Sequence, residues 1–377
     1  MKRYFVTGAT GVVGSAVVQR LLANRENHVT LLVRGASHAE VQARLCELLE
    51  FCESRDEDVR TRVEALRGDT SQPLFGLSAD VHAGLARTTT QLVHSAALVR
   101  MNLPLEEARR SAVTAATNVL DLAQRCLEAG QLEKVEILST VGVAGRRTGV
   151  LPERWIVEPR SFHNTYEQAK AEAEEHYQRK SAAGIPLTVH RPSMVVGDSR
   201  SGRIIRFQIF YHLLEFLTGV RTFGIFPSFG SARLDVVPVD FVAEAVVWSS
   251  TQQSTVGRVL HLCSGPRESV PLRELQAQTR MRWRQSGARL PPVFHIPRQL
   301  FSAVLPIIAA VSPPTLRKAI GTLPVFLDYL ADVQAFDNNQ TRQLLDPYAI
   351  SPPAVHEYLP KVISSYLDAK RMRGVSA

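Results

Sequence analysis

Tyr166 and Lys170 stand four residues apart in Asn164-Thr165-Tyr166-Glu167-Gln168-Ala169-Lys170, within a segment of helical spacing. Four residues place both side chains on one helix face. A free phenol titrates near about 10 and moves protons poorly at neutral pH, and an adjacent ammonium lowers that value by stabilising phenolate. The pair is therefore an acid–base couple in outline, although solvated helix faces carry such pairs too. Upstream, the strand pattern Val135 to Leu138 stops at Ser139-Thr140, where a strand end would hold a hydroxyl toward the same reacting oxygen. A Ser-Thr turn that merely ends the strand reads the same way. The third feature is Gly8, Gly11 and Gly14, placed between the apolar run Tyr4-Phe5-Val6 and a helical pattern from Ser15 to Leu22. Unpartnered N–H groups and the helix dipole attract a phosphate at such a helix start, and glycine lets the backbone come close. With a strand before it and a helix after it, the loop reads as a dinucleotide site.

The second apolar run, His28 to Val33, ends in Arg34. An NAD site would carry Asp or Glu there for the ribose 2′-hydroxyl. Arg34, with Ser37 and Arg44 behind it, suits a 2′-phosphate instead, so NADPH is expected ahead of NADH.

The elements that must position these groups alternate along the chain. Val63 to Leu66, Gln91 to His94, Val135 to Leu138 and Leu187 to His190 read as strands, the last one stopped by Arg191-Pro192. Glu40 to Glu53, Ala112 to Ala129 and Thr165 to Ala182 read as helices. Such β-α alternation predicts an α/β chain with a Rossmann-type, doubly wound parallel sheet, whose ligands collect at the carboxyl ends of the strands. After Pro192 the alternation weakens: 203–219 reads as an aromatic-rich helix, and Leu234 to Asp240 and Arg258 to Leu262 as late strands. Beyond 263 the pattern is mainly helical, broken at Pro291-Pro292, Pro313-Pro314 and Pro352-Pro353. The expected division is an NADP-binding domain over 1–195 plus 236–262, and a smaller, mainly helical substrate lobe from 196–235 and 263–377.

Bulk properties remove several function classes. A 377-residue chain with 45% hydrophobic residues builds a large core and is not a disordered chain. Its net charge of +8 comes from dispersed Lys and Arg, with no arginine-rich arm and no finger spacing, so nucleic acid is excluded as a partner. That charge suits anionic ligands, NADPH and acyl-CoA among them, and weak attraction to anionic lipid. Cys46, Cys52, Cys126 and Cys263 show no CxxC, and the eleven histidines no HExxH, so no metal site is expected. Free thiols point to a reducing, cytoplasmic setting. Met1-Lys2-Arg3 leads straight into the glycine loop without a secretory core, and the most apolar stretch, Phe301 to Val311, is half a membrane span.

Glycine loop, strand-end hydroxyl and Tyr/Lys pair occur here in the order used by the extended short-chain dehydrogenase/reductases, which the chain resembles over roughly its first 265 residues. Thr7-Gly-x-x-Gly-x-x-Gly is similar to the opening of that branch, so the cradle comprises Gly8, Thr10, Gly11, Val12, Val13 and Gly14. Gly68-Asp69, with Thr70, resembles the adenine contact, and His94-Ser95-Ala96-Ala97 the strand end beside the cofactor ribose. Arg191-Pro192-Ser193-Met194-Val195-Val196-Gly197 is similar to the segment passing the nicotinamide carboxamide; Leu234 to Asp240 resembles the late strand, with Asp240 structural. Aligning Val143-Ala144-Gly145 with the branch's Val-Tyr-Gly makes Thr140 the active hydroxyl and Ser139 the second choice. The resemblance implies that Tyr166 protonates a carbonyl oxygen, Lys170 tunes Tyr166 and holds ribose, and Thr140 orients the carbonyl.

Within the branch, Val33-Arg34-Gly35, Gly68-Asp69, the Tyr166 segment and Gly197-Asp198-Ser199-Arg200-Ser201-Gly202 resemble thioester reductases and fatty acyl-CoA reductase-like proteins. Those enzymes reduce an acyl thioester to an aldehyde, sometimes onward to the alcohol. Three departures stand out: Ala169 and Ala171 replace the usual serine and tryptophan around Lys170, and Ala112 falls where an asparagine is expected. No adenylation or carrier segment is present in the sequence, which implies a CoA- or carrier-bound acyl group arriving in trans.

Phe207, Ile209, Phe210, Leu213, Leu214, Phe216 and Leu217 form a helix apolar nearly all round, followed by Phe223-Gly224-Ile225-Phe226-Pro227. These residues serve either as the core of the lobe or as a channel for a lipophilic, polyketide or isoprenoid substrate with shallow membrane contact. The reading is a hydride-transferring reductase of a lipophilic carbonyl: thioester, aldehyde or ketone. The alternatives on the same fold are a natural-product ketone reductase, an NAD-retaining sugar-nucleotide epimerase or dehydratase, and a non-catalytic NADP sensor.

Overall fold

The computed structural model describes residues 1–54, 57–101, 103–311 and 334–372, and the side chains among these outside 305–311. Pro313-Pro314 and most of the apolar run ending at Val311 therefore lie outside the described side chains. Seven strands make one sheet, in the order Val259–Leu262, Leu187–Pro192, Lys134–Leu138, Gln91–His94, Lys2–Thr7, Asn27–Val33, Val63–Arg67. Every pairing in it is parallel, from Thr7↔Leu32 and Thr7↔His94 outward to Leu262↔Pro192. This is the doubly wound arrangement the alternation predicts. Its order reverses beside Lys2–Thr7, so the crevice between Thr7 and His94 is where a ligand collects.

The central strands are apolar on both faces because both faces are covered. One core joins Val6, Val29 and Leu31 to helix Val12–Ala23 and to Val242 and Val246 of helix Val239–Ser249. Across the sheet, Phe5, Leu92, Val135 and Ile137 pack on Val119 and Leu122 of helix Ala115–Glu128, and on Ala169 and Ala173 of helix Thr165–Ala182. A third core gathers Phe210, Leu214 and Phe216 of helix Ile209–Leu217 with Leu275 of helix Leu272–Gln285 and with Tyr358, Leu359 and Ile363 of helix Val355–Met372.

Four boundaries differ from the sequence reading. The strand from Leu187 runs through Arg191 and Pro192, which pair with His261 and Leu262; a proline at a strand's last position gives up little. The 203–219 helix is confined to Ile209–Leu217, because 203–208 crosses as an irregular connection, bent at 205 and 206, whose Ile204 and Ile205 pack on the first core. Leu234 to Asp240 divides into Arg233–Leu234 and Val236–Pro238, and a helix begins at Val239 with Asp240 in its first turn. The middle helix begins with Leu105–Arg109 and a π segment, Arg110–Thr114, and Ala112 lies inside that wider turn.

Candidate active site

Gly8 holds φ +74°, and a Cβ added there would meet Ala96 N at 2.5 Å. A Cβ at Gly14 would lie 2.1 Å from Gly8 O and 2.7 Å from Ser95 Oγ. The loop is thus packed backbone to backbone against the end of strand Gln91–His94, where Ser95 Oγ donates to Thr7 O at 2.9 Å. Gly11 caps helix Val12–Ala23 without a side-chain acceptor, so the first N–H groups of that helix have no side-chain cap. A side chain at Gly8 or Gly14 would clash with backbone, and the helix N–H groups are left without a side-chain acceptor, so the residues present fit a dinucleotide pyrophosphate.

A cleft of about 300 Å³ opens over the loop. It brings together Gly11 to Gly14, Ser95 and Ala97, then Thr140, Tyr166 and Lys170, and finally Pro192, Ser193 and Met194. Gly8, Thr10 and Ala96 belong to the loop and strand end beneath it. Arg34, Arg44, Asp69 and Thr70 do not line the cleft; they follow the carboxyl ends of strands Asn27–Val33 and Val63–Arg67. Arg34 is exposed and has no side-chain partner among the described residues. Arg44 is drawn onto Glu40 at 3.0 Å, and Asp69 Oδ1 accepts from Ser71 N and Oγ at 2.8 Å each.

Helix Thr165–Ala182 is started by Asn164, whose side chain accepts from Glu167 N at 3.0 Å. Its buried Lys170 donates to Leu138 O at 3.0 Å. Burial pulls that ammonium down to about 8, with Glu174 acting against the fall. Tyr166 departs from the expectation drawn from spacing alone: burial and then Glu167 push its phenol above the ordinary value. His94, buried behind Lys170 and bonded through Nδ1 to Thr7 Oγ1 at 2.7 Å, is pushed down to about 3 by burial and by the Lys170 charge, so it stays neutral.

The two hydroxyl candidates separate clearly. Thr140 Oγ1 accepts from Gly142 N at 3.1 Å, which leaves its hydrogen free to be donated. Ser139 Oγ is turned to the buried Glu174 Oε1 at 2.5 Å. Asp240 accepts from Ser199 N and Oγ at 2.9 and 2.6 Å, so its carboxylate pins the 197–202 loop.

Several cleft residues carry no sequence signal. Gln334 and Phe336 come from a short strand, Gln334–Phe336, pairing in parallel with Gly149–Leu151. Gln334 Nε2 donates to Gly145 O and Arg147 O at 2.6 and 2.5 Å. Asp235, inside the Leu234 to Asp240 segment but given no role there, reaches the cleft while accepting from Ser264 and Gly265 N at 2.9 Å each, and burial raises its carboxyl. Ile209 and Leu213 are a different case: the apolar helix 207–217 announced them, and they form part of the cleft wall with Met101.

Fold and family match together place the chain among the extended short-chain dehydrogenase/reductases of the thioester-reductase-like type, a class of NAD(P)H-dependent oxidoreductases. Residues 6–246 match the family described as male sterility protein, and the chain belongs to that family. A component of linear gramicidin synthase from Brevibacillus parabrevis is 29% identical over 68% of the chain. Isonitrile lipopeptide synthase from Streptomyces coeruleorubidus is 30% identical over 67%. The chain spans only 5% and 17% of the length of these two relatives. Among solved structures, the terminal R domain from the myxalamid PKS-NRPS biosynthetic pathway superposes with a TM-score of 0.81 at 26% identity, covering 100% of this chain and 92% of that one.

Proposed function

We propose that the protein is an NADPH-dependent reductase of an acyl thioester or aldehyde with a lipophilic chain, the acyl group being carried on CoA or on a carrier protein. The observation that carries this reading is one continuous cleft, in which the glycine loop, Thr140, Tyr166 and Lys170 face an apolar wall of Met101, Ile209, Leu213 and Phe336. An apolar wall of this kind suits an acyl chain and not a sugar nucleotide. The lipopeptide synthase and the terminal R domain among the similar proteins support an acyl chain delivered by an assembly line.

In this reading the loop and the first N–H groups of helix Val12–Ala23 hold the pyrophosphate, Arg34 the 2′-phosphate and Lys170 a ribose hydroxyl. The bound dinucleotide supplies a hydride to the carbonyl carbon. Thr140 donates its free hydrogen to the carbonyl oxygen and fixes its direction. Tyr166, kept protonated by burial, passes its proton to that oxygen as charge develops there. With an aldehyde the product is the alcohol. With a thioester the carbon–sulfur bond then breaks, the hydroxyl proton passes to sulfur, and aldehyde and thiol leave.

Purified protein should oxidise NADPH in the presence of acyl-S-pantetheines and release thiol in an amount equal to the sum of aldehyde and alcohol formed. Tyr166→Phe should lower kcat by roughly 10²–10⁴-fold while NADPH still binds. An unchanged rate in that variant would remove Tyr166 from the chemistry. Turnover of ring ketones alone would replace the thioester by a ketone.

A further inference from the structure

Resting on that reading, we infer that Glu174 is a positioning residue of the reaction: its carboxylate locks the Tyr166/Lys170 helix to the strand end that carries Thr140 and to the strand end that enters the cleft at Pro192. Glu174 does not line the cleft, so it acts through its neighbours.

Tyr166, Lys170 and Glu174 lie at i, i+4 and i+8 of helix Thr165–Ala182 and form one stripe. That stripe is stitched to the end of strand Lys134–Leu138 twice, one helical turn apart. Lys170 Nζ donates to Leu138 O at 3.0 Å, and Ser139 Oγ donates to Glu174 Oε1 at 2.5 Å. Leu138, Ser139 and Thr140 are consecutive, so a slip of the helix along the strand would break both bonds and move Tyr166 away from Thr140.

The same carboxylate takes a forked pair of bonds from Arg191, Nε to Oε1 at 3.0 Å and Nη2 to Oε2 at 2.5 Å. Glu174 is 4% exposed and Arg191 1%, so this ion pair is dry and its geometry is specific. Arg191 directly precedes Pro192, Ser193 and Met194, and its Nη1 also donates to Arg154 O at 3.0 Å. One buried carboxylate thus joins three segments whose ends meet in the cleft.

Charge adds a second consequence. The groups facing Lys170 are Tyr166 and Glu174 on its own helix, neutral His94 from strand Gln91–His94, and Arg191 from strand Leu187–Pro192 behind Glu174. Of these, Glu174 brings a negative charge that favours the ammonium.

The test uses the full chain as wild type, Glu174→Gln, Glu174→Asp and Ser139→Ala. The Lys170 titration is followed by NMR of side-chain ¹⁵N-labelled lysine, assigned with Lys170→Met, and kcat and the NADPH KM are measured in parallel. The Lys170 midpoint should fall by roughly half a unit or more in Glu174→Gln and hold in Glu174→Asp. In Ser139→Ala, which keeps the ion pair, kcat should drop about tenfold with the NADPH KM within about twofold. A Lys170 midpoint that stays put in folded Glu174→Gln overturns the electrostatic half. Wild-type kcat in Ser139→Ala overturns the positioning half, and that measurement stands even if Glu174→Gln does not fold. A wild-type protein that reduces no carbonyl defeats the functional reading, whereas the NMR titration still decides the role of Glu174.

Discussion

At the scale of single residues, the site separates groups that spacing alone leaves equivalent. Ser139 and Thr140 are neighbours with the same functional group, but one hydroxyl is bound to a buried carboxylate and the other keeps a free hydrogen. Arg34 and Arg44 both flank the second strand, yet Glu40 occupies Arg44 and leaves Arg34 as the exposed guanidinium without a partner among the described residues. A charge-assisted bond is worth roughly 1.5–3 kcal/mol. Arg34→Ala should therefore weaken NADPH binding by about 10–100-fold and leave NADH nearly unaffected, as read by fluorescence titration of both cofactors. Equal losses for the two would assign the 2′-phosphate to another residue.

At the scale of elements, the glycine loop makes the sharpest statement, because its geometry leaves no room for compensation. The Cβ of Gly14→Ala would lie 2.1 Å from Gly8 O, so strand or helix must move. Dinucleotide binding should be lost before the fold is, since overpacking of this kind costs about 1–3 kcal/mol. Calorimetry with NADPH beside a thermal melt would show both effects, and tight binding by Gly14→Ala would contradict the packing. The loop was legible in the sequence because three glycines between an apolar run and a helical pattern have few other uses. Thr165–Ala182 was legible for a similar reason, with Asn164 as cap and an unbroken helical composition. Where local pattern and tertiary context disagree, the reading failed. Pro192 looks like a strand stop yet ends a strand already held by Leu262, and 203–208 looks helical yet crosses as an irregular connection. Gln334–Phe336 could not be read at all, since its partner Gly149–Leu151 lies far away in the sequence.

For the molecule as a whole, burial of neutral histidines sets an acid limit. His94 and His261 are 1% and 2% exposed, and burial above all pulls each down to about 3. The unfolded chain binds protons at these residues near pH 6.5 while the folded chain does not. Their contribution is therefore complete above about pH 6.5 and is lost as pH falls from there toward 3. Each histidine contributes a slope of roughly 1.4 kcal/mol per pH unit within that window. Thermal midpoints of the wild type and His261→Gln, taken between pH 7.5 and 4.5, should converge as pH falls; parallel curves would mean that His261 charges in the folded state. His261 Nδ1 bonds the Asp337 carbonyl at 2.7 Å, directly after Phe336, and its strand Val259–Leu262 is the last of the seven in the chain. Through this bond the segment 334–337, whose Phe336 lines the cleft, is tied to an edge strand of the seven-stranded sheet. On the proposed reading, changes confined to 334–336 should retune which acyl chains are accepted and leave the glycine loop and Lys170 as they are.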